Sequence, residues 1–434
     1  DMRYQPIDKS FFEANRERFG KLMKPSSVAI FNSNDEFIRS GDQAYVYRQN
    51  SDFFYLTGIN QEKSVLVIAP NHPDIKLRQI LFLVETDEQT AIRDGDRLTR
   101  EKAMQISGIA NVKWLSDLEL TLRDLIIWSD HVYLNIYEYP KFSTEIDSRD
   151  HRFARQLQYQ YPAHNYERAA PLLTKLRMVK SETEINLIRK AIEITNKSFY
   201  RILKFVGPGV HEFEIQAEME HEFLINRSTG SAFPPIIAAG KNACVLHYND
   251  NNDIIDDGQL LLIDFGAEYA NYAADITRTI PVNGKFKPRQ RQLYDLVLKV
   301  QQRAIKQMIV GNTMEKYNTF VNNEMEREII KIGLLNEEEV KKQDPDNPLF
   351  KKYFMHGTAH HLGLDVHDVI CKYEPFKPGM ILTCEPGIYI RSEAIGIRLE
   401  NNILITENGP VNLSADIPIK PEIIESLMSR DKEN

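Results

Sequence analysis

The sequence predicts an α+β protein with an α/β domain followed by a second mixed domain. Over roughly the first 170 residues, short runs rich in Val and Ile alternate with stretches that suit helices, which is typical of α/β folds. Later, a helix-start signal precedes apolar strands that end in acidic residues. The length of 434 residues also suits two or three domains.

We predict that the N-terminal domain spans residues 2–171. A first helix is expected over residues 8–22, where apolar residues recur among charges. Strand-length apolar runs follow at residues 27–31, 65–69, 80–84 and 132–136. Residues 47–58 (Y-R-Q-N-S-D-F-F-Y-L-T-G) mix polar and aromatic types densely. From these residue types, a loop packed by its own aromatic side chains is favoured. The alternative is a surface that meets a partner or substrate.

The second domain is predicted to span residues 172–434 and to open with a capped helix. Ser181 and Glu184 fit the S-x-x-E capping box, in which each side chain satisfies a backbone N–H of the other. Ile185 and Ile188 then continue at helical spacing.

Composition and charge exclude several classes of protein. A net charge of -8 without a long basic block argues against a nucleic-acid-binding surface. No run reaches the roughly 18 apolar residues of a membrane span, and the start of the chain is charged and amphipathic, unlike a signal peptide. The odd set of Cys244, Cys371 and Cys384 fits neither a disulfide framework nor a zinc pattern. We therefore expect reduced thiols in a cytoplasmic protein.

Residues 355–368 (M-H-G-T-A-H-H-L-G-L-D-V-H-D) carry four of the eleven histidines: His356, His360, His361 and His367. Histidine is the commonest metal ligand and the side chain that most readily changes charge near neutral pH. The stretch alone is equally compatible with a metal or catalytic site and with a His-rich surface loop.

Two acids stand in strand-like surroundings. Asp264 ends the apolar run 259–266 (Q-L-L-L-I-D-F-G), and Asp275 follows eleven positions later in a second apolar stretch. A carboxylate there is costly unless it is paired or binds a metal. Either aspartate alone would be interpreted as a structural residue in a salt bridge, whereas two inward-facing acids on adjacent strands indicate a cation site.

Two further acids complete the pattern. Glu385 ends the apolar run 381–384 just before Pro386 and Gly387. Arg398 and Glu400 are two positions apart, which places both on one face of a strand. The alternative for this last pair is an Arg–Glu ion pair at a sheet edge.

In this order and in these contexts, Asp264, Asp275, His360, Glu385 and Glu400 resemble the five metal ligands of the pita-bread metallopeptidases, family M24. That family includes aminopeptidase P, prolidase and methionine aminopeptidase. Residues 47–58 are similar to the signature of the aminopeptidase P N-terminal domain. The resemblance covers about residues 3–415. It implies a creatinase-like α/β domain followed by a pita-bread catalytic domain, with residues 47–58 at a substrate-facing or subunit-facing edge.

The resemblance also implies roles for other side chains. His247, in N-A-C-V-L-H-Y, resembles a substrate-facing histidine, and it looks like an oxyanion donor together with His367. His356 resembles the residue beside the proline ring, and Glu385 the ligand that also carries the proton to the leaving nitrogen. The side chains expected to orient a ligand carboxylate are Arg398 and Tyr389.

Two departures from the family pattern stand out. Only fifteen positions separate Glu385 from Glu400, so the segment between them must be a tight hairpin. His361 replaces an aromatic residue often found after the ligand histidine, and we expect it to serve packing or to lie at the rim.

One histidine and four carboxylates make a hard ligand set that suits Mn²⁺, with Co²⁺ or Zn²⁺ as alternatives. Two divalent ions would balance four carboxylates, and a centre with two ions about 3.5–4 Å apart is expected. Water bridging such ions becomes a hydroxide near neutral pH, which supplies the nucleophile.

An Xaa-Pro bond is a tertiary amide without an N–H. The resemblance therefore implies an Xaa-Pro aminopeptidase acting on peptides with proline second, with a prolidase that cuts only Xaa-Pro dipeptides as the alternative. A non-catalytic binding module or a metal-free creatinase-like hydrolase is disfavoured, because all five ligands are present. Members of the family are commonly homodimers or homotetramers, so self-association is expected.

Overall fold

The computed structural model describes residues 3–95 and 97–430. The chain divides into two compact units, one of residues 4–177 and one from residue 178 onward. The boundary predicted at residues 171/172 lies near the start of the helix Ala170–Met178. Within the described residues, every helix is too short or too polar to cross a lipid bilayer.

The N-terminal unit begins with a helix and continues with strands and helices in alternation. In chain order its elements are α1 (Lys9–Leu22), β1 (Ser27–Asn32), β2 (Ile38–Ser40), β3 (Gln43–Ala44), α2 (Ser51–Thr57), β4 (Val65–Ile68), β5 (Gln79–Leu83), α3 (Glu88–Asp94), α4 (Arg100–Ser107), β6 (Asn111–Trp114), α5 (Leu118–Trp128), β7 (His131–Leu134), α6 (Arg149–Gln160), β8 (Asn165–Arg168) and α7 (Ala170–Met178).

Six of these strands form one mixed sheet in the order β6-β5-β4-β1-β7-β8. The pairs β1–β4 and β4–β5 are antiparallel, whereas β5–β6, β1–β7 and β7–β8 are parallel. Every residue of β1 and β4 is buried, as expected for a sheet covered on both faces. The predicted α/β domain and its four apolar runs are confirmed.

The prediction of a loop over residues 47–58 is wrong for the second half of that segment. Residues 51–57 form helix α2, capped by the Asn50 side chain and ended by Gly58 in a left-handed conformation. All seven side chains are buried, and Arg16 of α1 donates a hydrogen bond to the Leu56 carbonyl. The aromatic residues of α2 therefore pack inside the unit, which leaves them no surface for a substrate or a second subunit.

The C-terminal unit is also mixed. Its elements are α8 (Glu182–Phe205), α9 (Glu212–Ile225), β9 (Gly230–Ser231), β10 (Ile236–Ala239), β11 (Leu260–Phe265), β12 (Ala267–Tyr269), β13 (Tyr272–Ala273), β14 (Ile276–Pro281), α10 (Pro288–Ile305), α11 (Met314–Lys331), α12 (Glu337–Lys341), β15 (Ile381–Cys384), β16 (Gly387–Ile390), β17 (Ile395–Arg398), β18 (Asn401–Thr406), β19 (Gly409–Asn412) and α13 (Pro421–Arg430). The Ser181–Glu184 capping box is present at the start of α8.

Short antiparallel sheets bring the acidic strand ends together. In sheet β10-β11-β14, Asp264 lies opposite Thr277. In sheet β15-β18-β19, Glu385 directly follows β15 and Glu400 directly precedes β18, and these two strand ends are paired. A bridge between Thr277 and Glu400 joins the two sheets, and one between His361 and Leu382 ties the histidine segment to β15. Strands β16 and β17 form the tight hairpin expected from the short spacing.

Candidate active site

A cavity of about 380 Å³ in the C-terminal unit collects the residues that the sequence singles out. Nine of the ten predicted side chains line it: His247, Asp264, Asp275, His356, His360, His367, Glu385, Arg398 and Glu400. The tenth, Tyr389, contacts two of them. Gly357 of the histidine-rich stretch also lines it, and the sequence did not identify the other six lining residues: Phe233, Pro234, Ile236, Leu246, Asn249 and Val366.

The two aspartates lie on neighbouring strands. Asp264 is the fifth residue of β11, and Asp275 directly precedes β14, which pairs antiparallel with β11. The side chain of Asn402 holds the Asp275 backbone by accepting from its N–H at 3.2 Å and donating to its carbonyl at 2.6 Å. Both carboxylates are thereby fixed toward the cavity by strands with buried faces.

His360 presents one ring nitrogen to the acids. Its Nε2 lies 3.3 Å from Asp275 Oδ2 and 3.3 Å from Glu385 Oε1. Its Nδ1 lies 2.9 Å from the backbone carbonyl of His361, which can only accept a hydrogen bond. With Nδ1–H as the donor to this carbonyl, the neutral ring would direct its Nε2 lone pair at a cation among the carboxylates, the orientation that a metal-binding histidine requires. His361 itself is buried, as its predicted packing role requires.

Two threonines that were not predicted from the sequence hold the two glutamates. Thr277 Oγ1 donates to Glu400 Oε2 at 2.6 Å, and Thr383 Oγ1 donates to Glu385 Oε1 at 3.3 Å. Each threonine is two positions from an acid, Asp275 or Glu385 respectively, so the period of two in a strand was the signal that could have identified them.

Crowding and burial shift the protonation of the cluster. Burial raises the pKa of Asp275 to about 6 and the pKa of Glu385 to about 7, and nearby acids add to both shifts. Burial and then Asp275 and Glu385 raise the pKa of Glu400 well above its ordinary value. Burial lowers the pKa of His360, but Asp275 and Glu385 outweigh it and raise this pKa to about 9. The cluster thus retains protons that a bound cation would displace.

A chain of hydrogen bonds runs from a histidine to an acid. His356 Nε2 lies 2.8 Å from Tyr389 Oη, which accepts a 2.8 Å hydrogen bond from Arg398 Nη1. Arg398 Nη2 donates to Asp264 Oδ2 at 2.7 Å. Burial lowers the pKa of His356 to about 4, so its ring is neutral at neutral pH. Arg398 therefore contacts the Asp264 carboxylate directly and Tyr389 contacts Arg398, while the role of Asp264 as a metal ligand stays a prediction.

The two histidines predicted as oxyanion donors are exposed at the cavity. His247 lies in a turn closed by a hydrogen bond from the Tyr248 N–H to the Val245 carbonyl. The His367 ring meets the His360 ring edge to face, with centroids 4.5 Å apart. Both imidazoles can therefore reach a ligand beside the acidic cluster.

The donor set fits a divalent cation. Ligand atoms of Asp275, His360 and Glu400 all lie within 4.8 Å of one another. Asp264 Oδ1 and Glu400 Oε1 are buried and have no hydrogen-bond partner among the described residues. Such oxygens are costly in a protein interior unless something binds them. A hard cation is the group that oxygen-rich donors prefer.

Comparison with known families matches both units. Residues 186–407 match the model of metallopeptidase family M24, and residues 12–133 match the aminopeptidase P N-terminal domain. The first match covers all five predicted metal ligands, and the second covers most of the mixed sheet.

Individual relatives match over almost the whole chain. The Xaa-Pro aminopeptidase of Escherichia coli is 35% identical over 97% of this chain and 98% of its own length. The Xaa-Pro aminopeptidase of Haemophilus influenzae is 34% identical over 98% of each chain. The structure of E. coli aminopeptidase P with the inhibitor Pro-Leu superposes with a TM-score of 0.89 at 33% identity, covering 99% of this chain and all of that one. The chain therefore belongs to the aminopeptidase P group of metallopeptidase family M24.

Proposed function

We propose that the protein is a metal-dependent Xaa-Pro aminopeptidase, which removes the N-terminal residue from peptides that carry proline second. The observation that carries this proposal is the convergence of four carboxylates and four histidines around a single cavity. Xaa-Pro aminopeptidases related over the full chain support the same activity.

Membership in a metallopeptidase family implies divalent metal ions, and we assign their ligands to Asp264, Asp275, His360, Glu385 and Glu400. Two ions would balance the four carboxylates. Hard oxygen donors with one imidazole favour Mn²⁺, while Co²⁺ and Zn²⁺ can use the same ligands. When bound, the ions supply Lewis acidity that activates water and polarises the scissile carbonyl.

The residues of this chain supply orientation and proton transfer. Arg398 holds Asp264 in place and is itself held by Tyr389, and the His361 carbonyl fixes the ring of His360. Glu385 accepts a proton at a carboxylate oxygen and delivers it to the leaving nitrogen, which is general acid chemistry. His247 and His367 donate N–H groups to the developing oxyanion.

The cavity also suits a proline ring. Four apolar side chains are among the residues that line it, Phe233, Ile236, Leu246 and Val366, and His356 is neutral at neutral pH. A site that recognised the scissile N–H would reject an Xaa-Pro bond, which has none. Apolar lining residues can accept the ring without that contact.

Longer peptides are favoured over free dipeptides. The E. coli enzyme has been captured with the inhibitor Pro-Leu. This dipeptide has the form that remains when one residue is removed from an Xaa-Pro-Leu tripeptide. An inhibitor that resembles a product beginning with proline fits an aminopeptidase better than a prolidase, whose product is free proline.

We further propose a cytoplasmic enzyme that assembles as a homodimer or homotetramer. We also propose that residues 2–171 form its aminopeptidase P N-terminal domain and residues 172–434 its catalytic domain. Size-exclusion chromatography with light scattering tests the assembly, and a monomer at micromolar concentration would overturn it.

The test of the activity is a kinetic panel of Xaa-Pro dipeptides and Xaa-Pro-Xaa tripeptides with Mn²⁺, Co²⁺ and Zn²⁺ added separately. We expect release of the N-terminal residue from the tripeptides, with the highest rate in Mn²⁺. Asp264→Ala should abolish this release, while Asp42→Ala, at an exposed position of the N-terminal unit, should leave it unchanged. A metal-loaded protein that is inert on all tripeptides would overturn the proposal, and a clear preference for dipeptides would assign a prolidase.

A further inference from the structure

The loop that carries His247 is held by a buried carboxylate, Glu212, at the first position of α9. This loop, residues 239–253, leaves the end of β10 and returns to pair with the start of α9. Two of the cavity-lining residues on it, His247 and Asn249, are exposed. Glu212 itself is fully buried and lies outside the cavity lining.

Each oxygen of the Glu212 carboxylate accepts two hydrogen bonds from the loop. Oε1 accepts from the Ala239 N–H at 2.8 Å and from Asn242 Nδ2 at 3.0 Å. Oε2 accepts from the Tyr248 hydroxyl at 2.5 Å and from the Asp253 N–H at 3.0 Å. The carboxylate thus ties both ends of the loop and its middle to one point. Hydrogen bonds to an ionised acceptor are about twice as strong as neutral ones.

A second residue on the same helix face supports this anchor. Gln216 is four positions after Glu212 and accepts from Asn251 Nδ2 at 3.1 Å. Asn251 also donates to the Pro235 carbonyl at 3.0 Å and accepts from the Ile237 N–H at 2.9 Å. The return of the loop is therefore fixed to β10 as well as to α9.

His247 depends on this frame. Among the described residues its imidazole has no hydrogen-bonding or ion-pairing partner, unlike His356 and His360. The position of its ring therefore follows from the backbone of the turn that Tyr248 closes. Tyr248 is also the loop residue whose hydroxyl meets Glu212, one position after His247.

We infer that Glu212 is a positioning residue for the proposed reaction, acting through the 239–253 loop to place His247 at the scissile carbonyl. The inference rests on the proposed function, because the role of His247 does. Removing the carboxylate charge leaves at least two loop donors unsatisfied and frees the imidazole to move. A displacement of about 1 Å from a productive geometry can cost roughly 100-fold in rate.

The experiment compares Glu212→Gln, His247→Ala and the double variant on an Xaa-Pro-Xaa tripeptide with saturating Mn²⁺. We expect Glu212→Gln to lower kcat/KM by about 10- to 100-fold, mainly through kcat. In the His247→Ala background the same change should cost less than about twofold, since the residue it positions is gone. Tyr248→Phe, which removes one of the four donors, should give a smaller loss. Multiplicative losses in the double variant would overturn the inference.

A matched control and a spectrum separate positioning from a general loss of folding. Glu324→Gln removes another buried carboxylate, which pairs with Arg303 away from the cavity, and should leave kcat/KM within about twofold. In protein labelled at histidine Cε1 and loaded with Zn²⁺, the His247 resonance should shift or broaden in Glu212→Gln, while that of His131 stays in place. A His247 resonance that is the same in Glu212→Gln and in the wild-type protein would overturn the inference, whether or not the protein cleaves peptides. A wild-type protein that cleaves no peptide, with a His247 resonance that still shifts in Glu212→Gln, would overturn only the proposed function.

Discussion

Arg398 Nη2 donates a 2.7 Å hydrogen bond to Oδ2 of Asp264, while Oδ1 of the same carboxylate has no hydrogen-bond partner among the described residues. One oxygen is fixed by a buried guanidinium, and the other is the atom that we propose binds a cation. This division explains how an acid inside an apolar strand can be both held and available. It also makes Arg398 the first residue to test.

Arg398→Lys should weaken the site. A lysine has one ammonium group and cannot donate to Asp264 and Tyr389 in the fork geometry of the guanidinium. We expect Mn²⁺ affinity and kcat/KM to fall by about 10- to 100-fold, the usual cost of losing a group that orients a ligand. Titration calorimetry and tripeptide kinetics measure the two effects.

Arg289→Lys provides the control for that substitution. Arg289 pairs with Glu393 in the same unit and is about one-third exposed, away from the cavity. Arg289→Lys should leave both the Mn²⁺ affinity and kcat/KM unchanged. Wild-type affinity and activity in Arg398→Lys would show that Asp264 needs no guanidinium to hold it.

Mn²⁺ affinity should increase with pH. Without a cation, burial and crowding raise the pKa of Asp275 to about 6 and that of Glu385 to about 7, so both acids hold protons at acidic pH. Binding must release these protons, and raising the pH removes that cost. We expect the apparent Kd to fall by at least about tenfold between pH 5.5 and pH 8.

Calorimetry in buffers of different ionisation enthalpy measures both the affinity and the protons released. The release should be largest at the acidic end of this range. A Kd independent of pH, with no proton released, would contradict the assignment of these acids as ligands.

Arg177→Met should destabilise the N-terminal unit. Arg177 Nη1 donates to Asp52 Oδ1 at 2.7 Å, and both side chains are at most 3% exposed. Removing the arginine leaves a buried carboxylate whose remaining hydrogen bonds, within the described part of the chain, come from the neutral donors Asn135 and Tyr137. Breaking a buried pair in this way costs about 3–5 kcal/mol of unfolding free energy, measurable by urea denaturation.

An exposed pair supplies the comparison. Arg168 and Glu138 form an ion pair with side chains 67% and 58% exposed, and Arg168→Met should cost no more than about 1 kcal/mol. The double variant Arg177→Met with Asp52→Leu should recover stability relative to Arg177→Met alone, since it also removes the unpaired charge. No recovery would show that the cost comes from lost packing and not from the stranded carboxylate.

Asp150 should make the N-terminal unit less stable as the pH rises. Burial raises the pKa of Asp150 from 3.8 to about 7, while hydrogen bonds from Asn32 oppose the shift. Between these values the native state keeps a proton that the unfolded chain has released, so the free energy of unfolding decreases with pH. The decrease is complete above about pH 7.

Asp150→Asn removes this dependence, because an amide oxygen still accepts from Asn32 but carries no charge. We expect a gain of about 1–2 kcal/mol at pH 8 and little change at pH 4, less than the full shift would give because the residue is only partly buried. Thermal unfolding across this range measures it, with exposed Asp42→Asn as control. A loss of stability in Asp150→Asn at pH 8 would contradict a raised pKa for Asp150.

The site was largely predictable because each candidate has a local signature. Asp264 and Glu385 end apolar strands, and the histidines cluster in residues 355–368. The partners that hold these groups were not predicted. The spacing of two from Asp275 and Glu385 marks Thr277 and Thr383 only once those acids are known to face a cavity, because a threonine in a strand is otherwise ordinary.

For helix α2 the sequence predicted the wrong local structure. Its polar and aromatic composition favoured a loop, yet Asn50 caps the helix and packing against α1 buries every side chain. The local signals that favour the helix are the Asn50 cap and Gly58 at its end, while Phe53 and Phe54 add apolar side chains that are buried only when the unit is folded.

The sequence by itself determined which groups can do the chemistry, because residue type and the period of two in strands fix the donors and the face from which they project. It also determined the class of each domain through the alternation of apolar runs. Only the tertiary structure decided which strands are neighbours, and hence that a Glu212 carboxylate at a distant helix start holds the His247 loop. Such contacts join residues far apart in the chain, and neither local pattern nor spacing specifies which surfaces meet when the core closes.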